Sequence, residues 1–309
     1  MSLDDKVAIV TGSGRGLGLA YAQELARRGA SVVVNDVDEE AASEAVAAIQ
    51  ALGGKAVAVV APVGPTATAK QLVGTAVETF GRLDMLVTNA GVLRDTVLWK
   101  MSDEDFDTVI DVHLRGTFTT VREAVLHMRQ AGEGGRIVCI GSPTGQRGNF
   151  GQTNYAAAKA GIVGMVRTWA IELKRAGITA NAVVPVAATA MTATVPYFAA
   201  AVTAEAKGEP VPTFFRHDLG FGTAEDVAGL IAFLGSDSAA TVTGQVIGVG
   251  GDRIQIWTHP EAALSAYRAG GWSYDALVEA WSTEFGGALQ SVGERFPELP
   301  EEFSSTTAS

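Results

Sequence analysis

Lys6–Gly18, KVAIVTGSGRGLG, decides how the rest of the chain is to be read. Lys6 to Thr11 is a short β-rich run. It breaks into a turn with glycines at Gly12, Gly16 and Gly18, and Leu17 to Arg28 then carries apolar residues at helical spacing. A strand that enters a helix through such a turn lets the backbone approach a pyrophosphate, whose charge is favoured at a helix N-terminus. A tight βα turn with no ligand is the plainer reading, and the strand before it and helix after it weigh against that. Ser31 to Asn35 forms a second strand closed by Asp36. An acid there accepts a ribose 2′-hydroxyl and repels a 2′-phosphate; it can also simply cap the next helix.

Outward from this unit, strands and helices alternate. Glu39 to Leu52 reads as a helix, Lys55 to Val60 as a strand, Thr66 to Phe80 as a helix, and Asp84 to Thr88 as a strand leading into Asn89-Ala90-Gly91. Ser102 caps a helical segment that carries His113 and runs, with a break, to about Gln130. Arg136 to Ile140, Thr179 to Val184 and Gln245 to Val249 supply three more strands, and Thr223 to Leu234 another helix. The pattern predicts an α/β fold of Rossmann type, a doubly wound seven-stranded parallel sheet with ligands at the carboxyl edge of its strands. From Val186 to Gly222 the periodicity fades and Pro196, Pro210 and Pro212 interrupt it, as in a binding loop or lid. Residues 1–258 are therefore expected to form the dinucleotide-binding domain, including the loop 186–222. Residues 259–309 form a helical C-terminal extension whose Trp272, Tyr274, Trp281, Phe285 and Phe296 must be covered by their own domain or a partner subunit.

Composition narrows the function classes. The chain of 309 residues is 47% hydrophobic and 18% charged, as expected for a soluble globular protein. A formal net charge of -11 argues against nucleic acid or an anionic membrane as partner. The one cysteine, Cys139, excludes a disulfide framework and a multi-cysteine metal site, and no metal is expected. The N-terminal MSLDDKVAIVTG has acids ahead of a short apolar run, unlike a signal peptide, and no run approaches a membrane span. A cytoplasmic location is the default.

Chemistry points to the stretch from Cys139 to Lys159. Ser142 stands at the end of the fifth strand, Tyr155 follows in an Ala-rich helical segment, and Lys159 lies four residues on. Positions i and i+4 share a helix face, so phenol and ammonium can lie side by side. A cation beside a phenol favours phenolate and brings it closer to use as a base. One such pair alone more often decorates an amphipathic helix. The separate glycine turn, expected at the same sheet edge, shifts the balance to catalysis.

With these residues in place, the chain resembles the short-chain dehydrogenase/reductase family from residue 5 to about 252. Thr11-Gly12-x3-Gly16-x-Gly18, Asn89-Ala90-Gly91, Ser142 and Tyr155-x3-Lys159 carry the likeness. Within the family, NAGVLRD at 89–95, VHLRGTF at 112–118 and GNFGQTNYAAAK at 148–159 are most similar to the (3R)-hydroxyacyl-CoA dehydrogenase unit of peroxisomal multifunctional enzyme type 2. The resemblance implies Tyr155 as acid/base, Lys159 tuning it and holding the nicotinamide ribose, and Ser142 orienting the substrate oxygen. It implies cofactor contacts from Gly12, Arg15, Gly16, Leu17, Gly18, Asp36, Val63, Asn89, Ala90, Gly91, Tyr155, Lys159 and Thr189. His113 stands where most of the family has a catalytic Asn, as it does in the multifunctional-enzyme branch, and its role is left open. Pro62 replaces the usual adenine-contacting Asp, leaving the Val63 backbone, and Pro185-Val186 replaces the usual Pro-Gly ahead of Thr189.

The implied reaction is NAD-dependent oxidation of a 3-hydroxyacyl-CoA thioester to the 3-oxoacyl-CoA in fatty-acid or steroid side-chain degradation, by a homodimer or homotetramer. A first alternative is an NADPH-dependent 3-oxoacyl carrier-protein reductase, favoured by Arg15 and opposed by Asp36. A second is a dinucleotide sensor without chemistry, opposed by the Ser/Tyr/Lys set. NAD is expected over NADP.

Overall fold

Seven parallel strands and one antiparallel strand form a single sheet, and helices cover both of its faces. The structure is a computed structural model that describes residues 3–188, 195–293 and 296–304. The strands are β1 (Val7–Thr11), β2 (Ser31–Asp36), β3 (Lys55–Val60), β4 (Met85–Thr88), β5 (Gly135–Ile140), β6 (Ile178–Pro185), β7 (Val246–Gly250) and β8 (Arg253–Trp257). Their order is β3-β2-β1-β4-β5-β6-β7-β8. The central strands are apolar throughout because both faces are covered: β1 and β4 are buried along their whole length.

On one face lie α1 (Gly16–Arg27), α2 (Glu39–Ala51) and α9 (Ala224–Gly235), which bury Leu25, Ile49 and Ile231 with Val10 and Val34. On the other lie α3 (Thr66–Phe80), α5 (Gly116–Ala131) and α7 (Thr153–Glu172), which bury Leu72, Val121 and Ile162 with Ile9 and Ile137. Chain order runs outward in opposite directions from β1 and β4, so the sheet opens a crevice between their carboxyl ends.

Two features differ from the sequence expectation. The sheet has an eighth strand, paired antiparallel to β7 through a two-residue turn at Gly251-Asp252. In β8 the apolar residues alternate the wrong way for a covered strand: Ile254 and Ile256 are exposed, while Arg253, Gln255 and Trp257 turn toward the cleft. The described residues of 186–222 also hold more regular structure than the prolines suggest. They form α8 (Ala199–Ala206) and a π-helical turn at Phe214–Asp218. A third apolar cluster of Phe198, Val211, Phe215 and Phe221 gives them a core of their own.

Candidate active site

The turn after β1 is shaped by what it must touch. Gly12 has φ +61°, and a Cβ there would stand 2.6 Å from the Ala90 Cα. A Cβ at Gly18 would overlap the Gly12 carbonyl oxygen. The turn is held against the end of β4 by Asn89, whose side-chain amide donates to Thr11 O at 3.1 Å and Gly12 O at 2.8 Å. Thr11 Oγ1 accepts in return from the Asn89 and Ala90 N–H groups. Helix α1 starts there with no side chain capping its N-terminus and no acid in its first turn. Its exposed N–H groups and dipole thus suit an anion. Asp36, at the end of β2, accepts from the N–H groups of Gly14, Val37 and Asp38 at 3.0, 2.8 and 3.2 Å. Its carboxylate therefore has one fixed place on the cleft wall. A glycine-lined cradle, an uncapped helix start and a fixed acid fit a pyrophosphate followed by a ribose.

Gly12, Arg15, Gly16, Leu17, Gly18, Asp36, Val63, Asn89, Ala90 and Gly91 all line one cleft of about 1280 Å³. His113, Ser142, Tyr155 and Lys159 line it too. Of the residues singled out from sequence, Thr189 alone lies outside the described residues.

Ser142 ends β5's extension and caps the short helix α6 (Pro143–Arg147), its Oγ accepting from Thr144 N at 3.2 Å. Tyr155 and Lys159 occupy the first turns of α7. The start of that helix is fixed by buried Asn154. Its amide donates to Arg94 O at 3.0 Å and Asp105 O at 3.2 Å, and its carbonyl accepts from Tyr155 N at 2.8 Å. Lys159 is 3% exposed and donates to Ile140 O at 2.7 Å, with its Nζ 5.5 Å from the Tyr155 ring centre. Among the described residues no carboxylate pairs with it, and burial pushes its pKa down to about 7. Burial also pushes the Tyr155 phenol up; the Ser142 hydroxyl draws it back and the Asp95 charge raises it further. The sequence reading expected the Lys159 charge to lower this phenol. Desolvation is the larger effect on both groups.

His113 sits in a π-helical turn, Ile110–Arg115, between α4 (Asp103–Val109) and α5. The turn is the break expected in that helix, and such turns recur at functional sites. Burial first, and the Lys159 charge second, lower His113 to about 3, so the imidazole is neutral at physiological pH. Its Nε2 meets the backbone of Val92, and its ring stands edge-on to Tyr155 with centres 5.1 Å apart. A Cβ on Gly91 would overlap the ring. His113 thus packs its neutral ring against Tyr155.

The cleft wall also carries Val195, Phe198, Phe221 and Phe296, with Asp218, Arg253 and Gln255 lining it as well. Here the C-terminal extension packs on segment 186–222 of the same chain. Phe296 stacks on Tyr197 at 4.8 Å, Phe303 meets Phe215 at 5.1 Å, and Tyr197 Oη donates to Pro297 O at 2.7 Å. Arg147 clamps the same strand of tail from the other side. Its Nε donates to Gly293 O, and Gly293 N donates to Arg147 O, both at 2.8 Å. Most of the tail aromatics expected to be covered by the domain or a partner subunit are arranged otherwise. Trp272, Trp281 and Phe285 pack on one another, and Trp281 stays half exposed. Sequence reasoning also missed Arg147, Asn154, and Gln152, which donates to Asp95 at 2.6 Å. For Asn154 a signal existed, an amide directly before Tyr155; for Arg147 there was none.

The short chain dehydrogenase family matches residues 6–197. The chain is 42% identical to a 3-oxoacyl-[acyl-carrier-protein] reductase of Synechocystis sp., over 82% of this chain and 99% of that one. It is 43% identical to the hydroxyacyl-CoA dehydrogenase ChsB1 of Mycobacterium tuberculosis, over 88% of this chain and 86% of that one. With peroxisomal multifunctional enzyme type 2 of Mus musculus it shares 46% identity over 63% of its own length, but only 27% of that larger protein. A crystal structure of a short chain dehydrogenase from Mycobacterium avium superposes with a TM-score of 0.80 at 36% identity, covering 94% of this chain and 98% of that one. Fold, cleft and sequence agree: this chain is an oxidoreductase belonging to the short chain dehydrogenase family.

Proposed function

We propose that the protein oxidises the 3-hydroxyl of an acyl-CoA thioester to the 3-oxo product with NAD, and that Tyr155 takes the hydroxyl proton. The observation that carries this reading is the continuity of the cleft. It runs from the carboxylate of Asp36, past Ser142, Tyr155 and Lys159, to an apolar wall of Phe198, Phe221 and Phe296. A bound nicotinamide supplies the acceptor for the hydride leaving the carbinol carbon. Gly12, Gly16 and Gly18 would cradle its pyrophosphate, Asp36 its adenosine ribose, and Lys159 its nicotinamide ribose.

The chain's own residues then divide the work. Ser142, which accepts from Thr144 N, would turn its one hydroxyl proton from the phenol to the substrate oxygen. Tyr155, with Asn154 accepting from its backbone N–H and the His113 ring edge-on to it, would accept the hydroxyl proton as phenolate. That form would be favoured, against the burial that raises the phenol, by the positive charge of a bound oxidised nicotinamide. The aromatic wall excludes water from an acyl chain. The exposed Phe118, Leu126 and Ile171 on α5 and α7 suit a homo-oligomer, which light scattering would register as a mass at least twice that of one chain.

The test is NAD reduction against 3-hydroxyacyl-CoA thioesters that differ in chain length and stereochemistry. Turnover of one stereochemical series, faster with longer acyl chains, is expected. A second reading, NADPH-dependent reduction of a 3-oxoacyl carrier protein, draws on Arg15 and on the name of the Synechocystis relative. Turnover only in that direction and with that cofactor would replace the first reading, and no turnover in either would leave a dinucleotide sensor.

A further inference from the structure

The glycine turn carries one cation, Arg15, which by charge alone would attract a 2′-phosphate. In the structure its guanidinium is already engaged: Nη2 donates to Oδ2 of Asp38. Asp38 is itself pinned. It is the N-cap of α2, and its Oδ1 accepts from Ala41 N at 3.2 Å. That backbone bond first, and Arg15 second, hold the carboxyl below the usual carboxylate range, so it is ionised throughout the physiological pH interval. Two residues earlier, the Asp36 carboxylate is occupied by three backbone N–H groups and makes no described pair with Arg15. The two acids thus have different duties in one corner of the cleft.

We propose that Asp38 is a second cofactor-specificity residue, which withdraws Arg15 from the ribose end of the cleft and so helps exclude a 2′-phosphorylated dinucleotide. The proposal rests on the NAD reading above. Asp36 opposes the phosphate by its own charge, and Asp38 removes the one cation of the turn that could compensate. The pair is largely exposed, with side chains 69% and 44% accessible, so its effect is modest and salt-sensitive.

The experiment measures dissociation constants for NAD and NADP by calorimetric titration of the full chain. It uses the wild type, Asp38→Asn, and Asp38→Asn combined with Arg15→Gln. Asn is a good N-cap, so α2 keeps its start while the charge is lost. Asp38→Asn should tighten NADP binding roughly threefold to tenfold, with NAD binding changed less than about twofold. The gain should vanish in the double variant and shrink as salt is raised. An unchanged NADP constant in Asp38→Asn, or a gain that survives loss of Arg15, overturns the proposal alone. A wild-type protein that binds NADP more tightly than NAD overturns the cofactor reading instead.

Discussion

Replacing Lys159 with Met should make the protein more stable and catalytically dead. Burial lowers the pKa of this lysine from 10.5 to about 7. Each pKa unit corresponds to about 1.4 kcal/mol, so burying the amine opposes folding by roughly 4 to 5 kcal/mol near neutral pH. Met fills a similar unbranched volume without that burden. It also loses the bond to Ile140 O and leaves that carbonyl with one partner fewer, at roughly 1 to 3 kcal/mol. The net expectation is a gain of roughly 1 to 4 kcal/mol at pH 7. The sign with pH follows from proton uptake. Between about pH 7 and 10.5 the unfolded chain holds a proton on Lys159 that the folded chain has released. Wild-type stability from this group therefore rises with pH across that window, and the advantage of the Met variant shrinks by about 2 kcal/mol from about pH 7 to about pH 9. Denaturant unfolding of both proteins at the two pH values measures it. A wild-type-minus-variant difference that stays flat with pH would show that the lysine is not held largely neutral, and would refute the argument.

Three further outcomes are expected. Tyr155→Phe should cut turnover about 100-fold or more with NAD binding nearly intact, and activity within about tenfold of wild type would remove Tyr155 as the proton acceptor. Asp36→Ala loses a charged acceptor and should cost roughly tenfold to a hundredfold in kcat/KM with NAD and less with NADP, so an unchanged cofactor ratio in steady-state kinetics would count against its role. Arg147→Ala, or deletion of residues 260–309, should raise KM for long-chain acyl-CoA with little change in the NAD dissociation constant; unaltered acyl-chain selectivity would reduce the tail to an appendage.

What could be read from the sequence was whatever is local. The glycine turn, Asp36 and the Tyr155-x3-Lys159 pair declare themselves within a few residues, because strand, turn and helix each impose a short period. The seven parallel strands followed from the same periods. Strand β8 did not, since RIQIW faces its polar residues to the cleft and leaves Ile254 and Ile256 outside, the reverse of a covered edge strand. The clamp between Arg147 and Gly293 joins residues 146 positions apart, and no pattern in either neighbourhood encodes it. How far burial shifts Tyr155 and Lys159 is not encoded locally either. Spacing shows that two groups are close, whereas burial by distant parts of the chain sets how much water each has lost.

The cleft is made from two parts of the chain that are synthesised at different times. All eight strands are complete by Trp257, whereas Phe296, Pro297 and Phe303 close the apolar wall only later. On a ribosome that interval is on the order of seconds, and domains fold as soon as their residues emerge. A nascent chain, or one nicked in the exposed stretch 258–271, would then hold nucleotide before it could choose among acyl groups. Partial proteolysis of this protein should therefore release a species that still binds dinucleotide, but is indiscriminate about chain length.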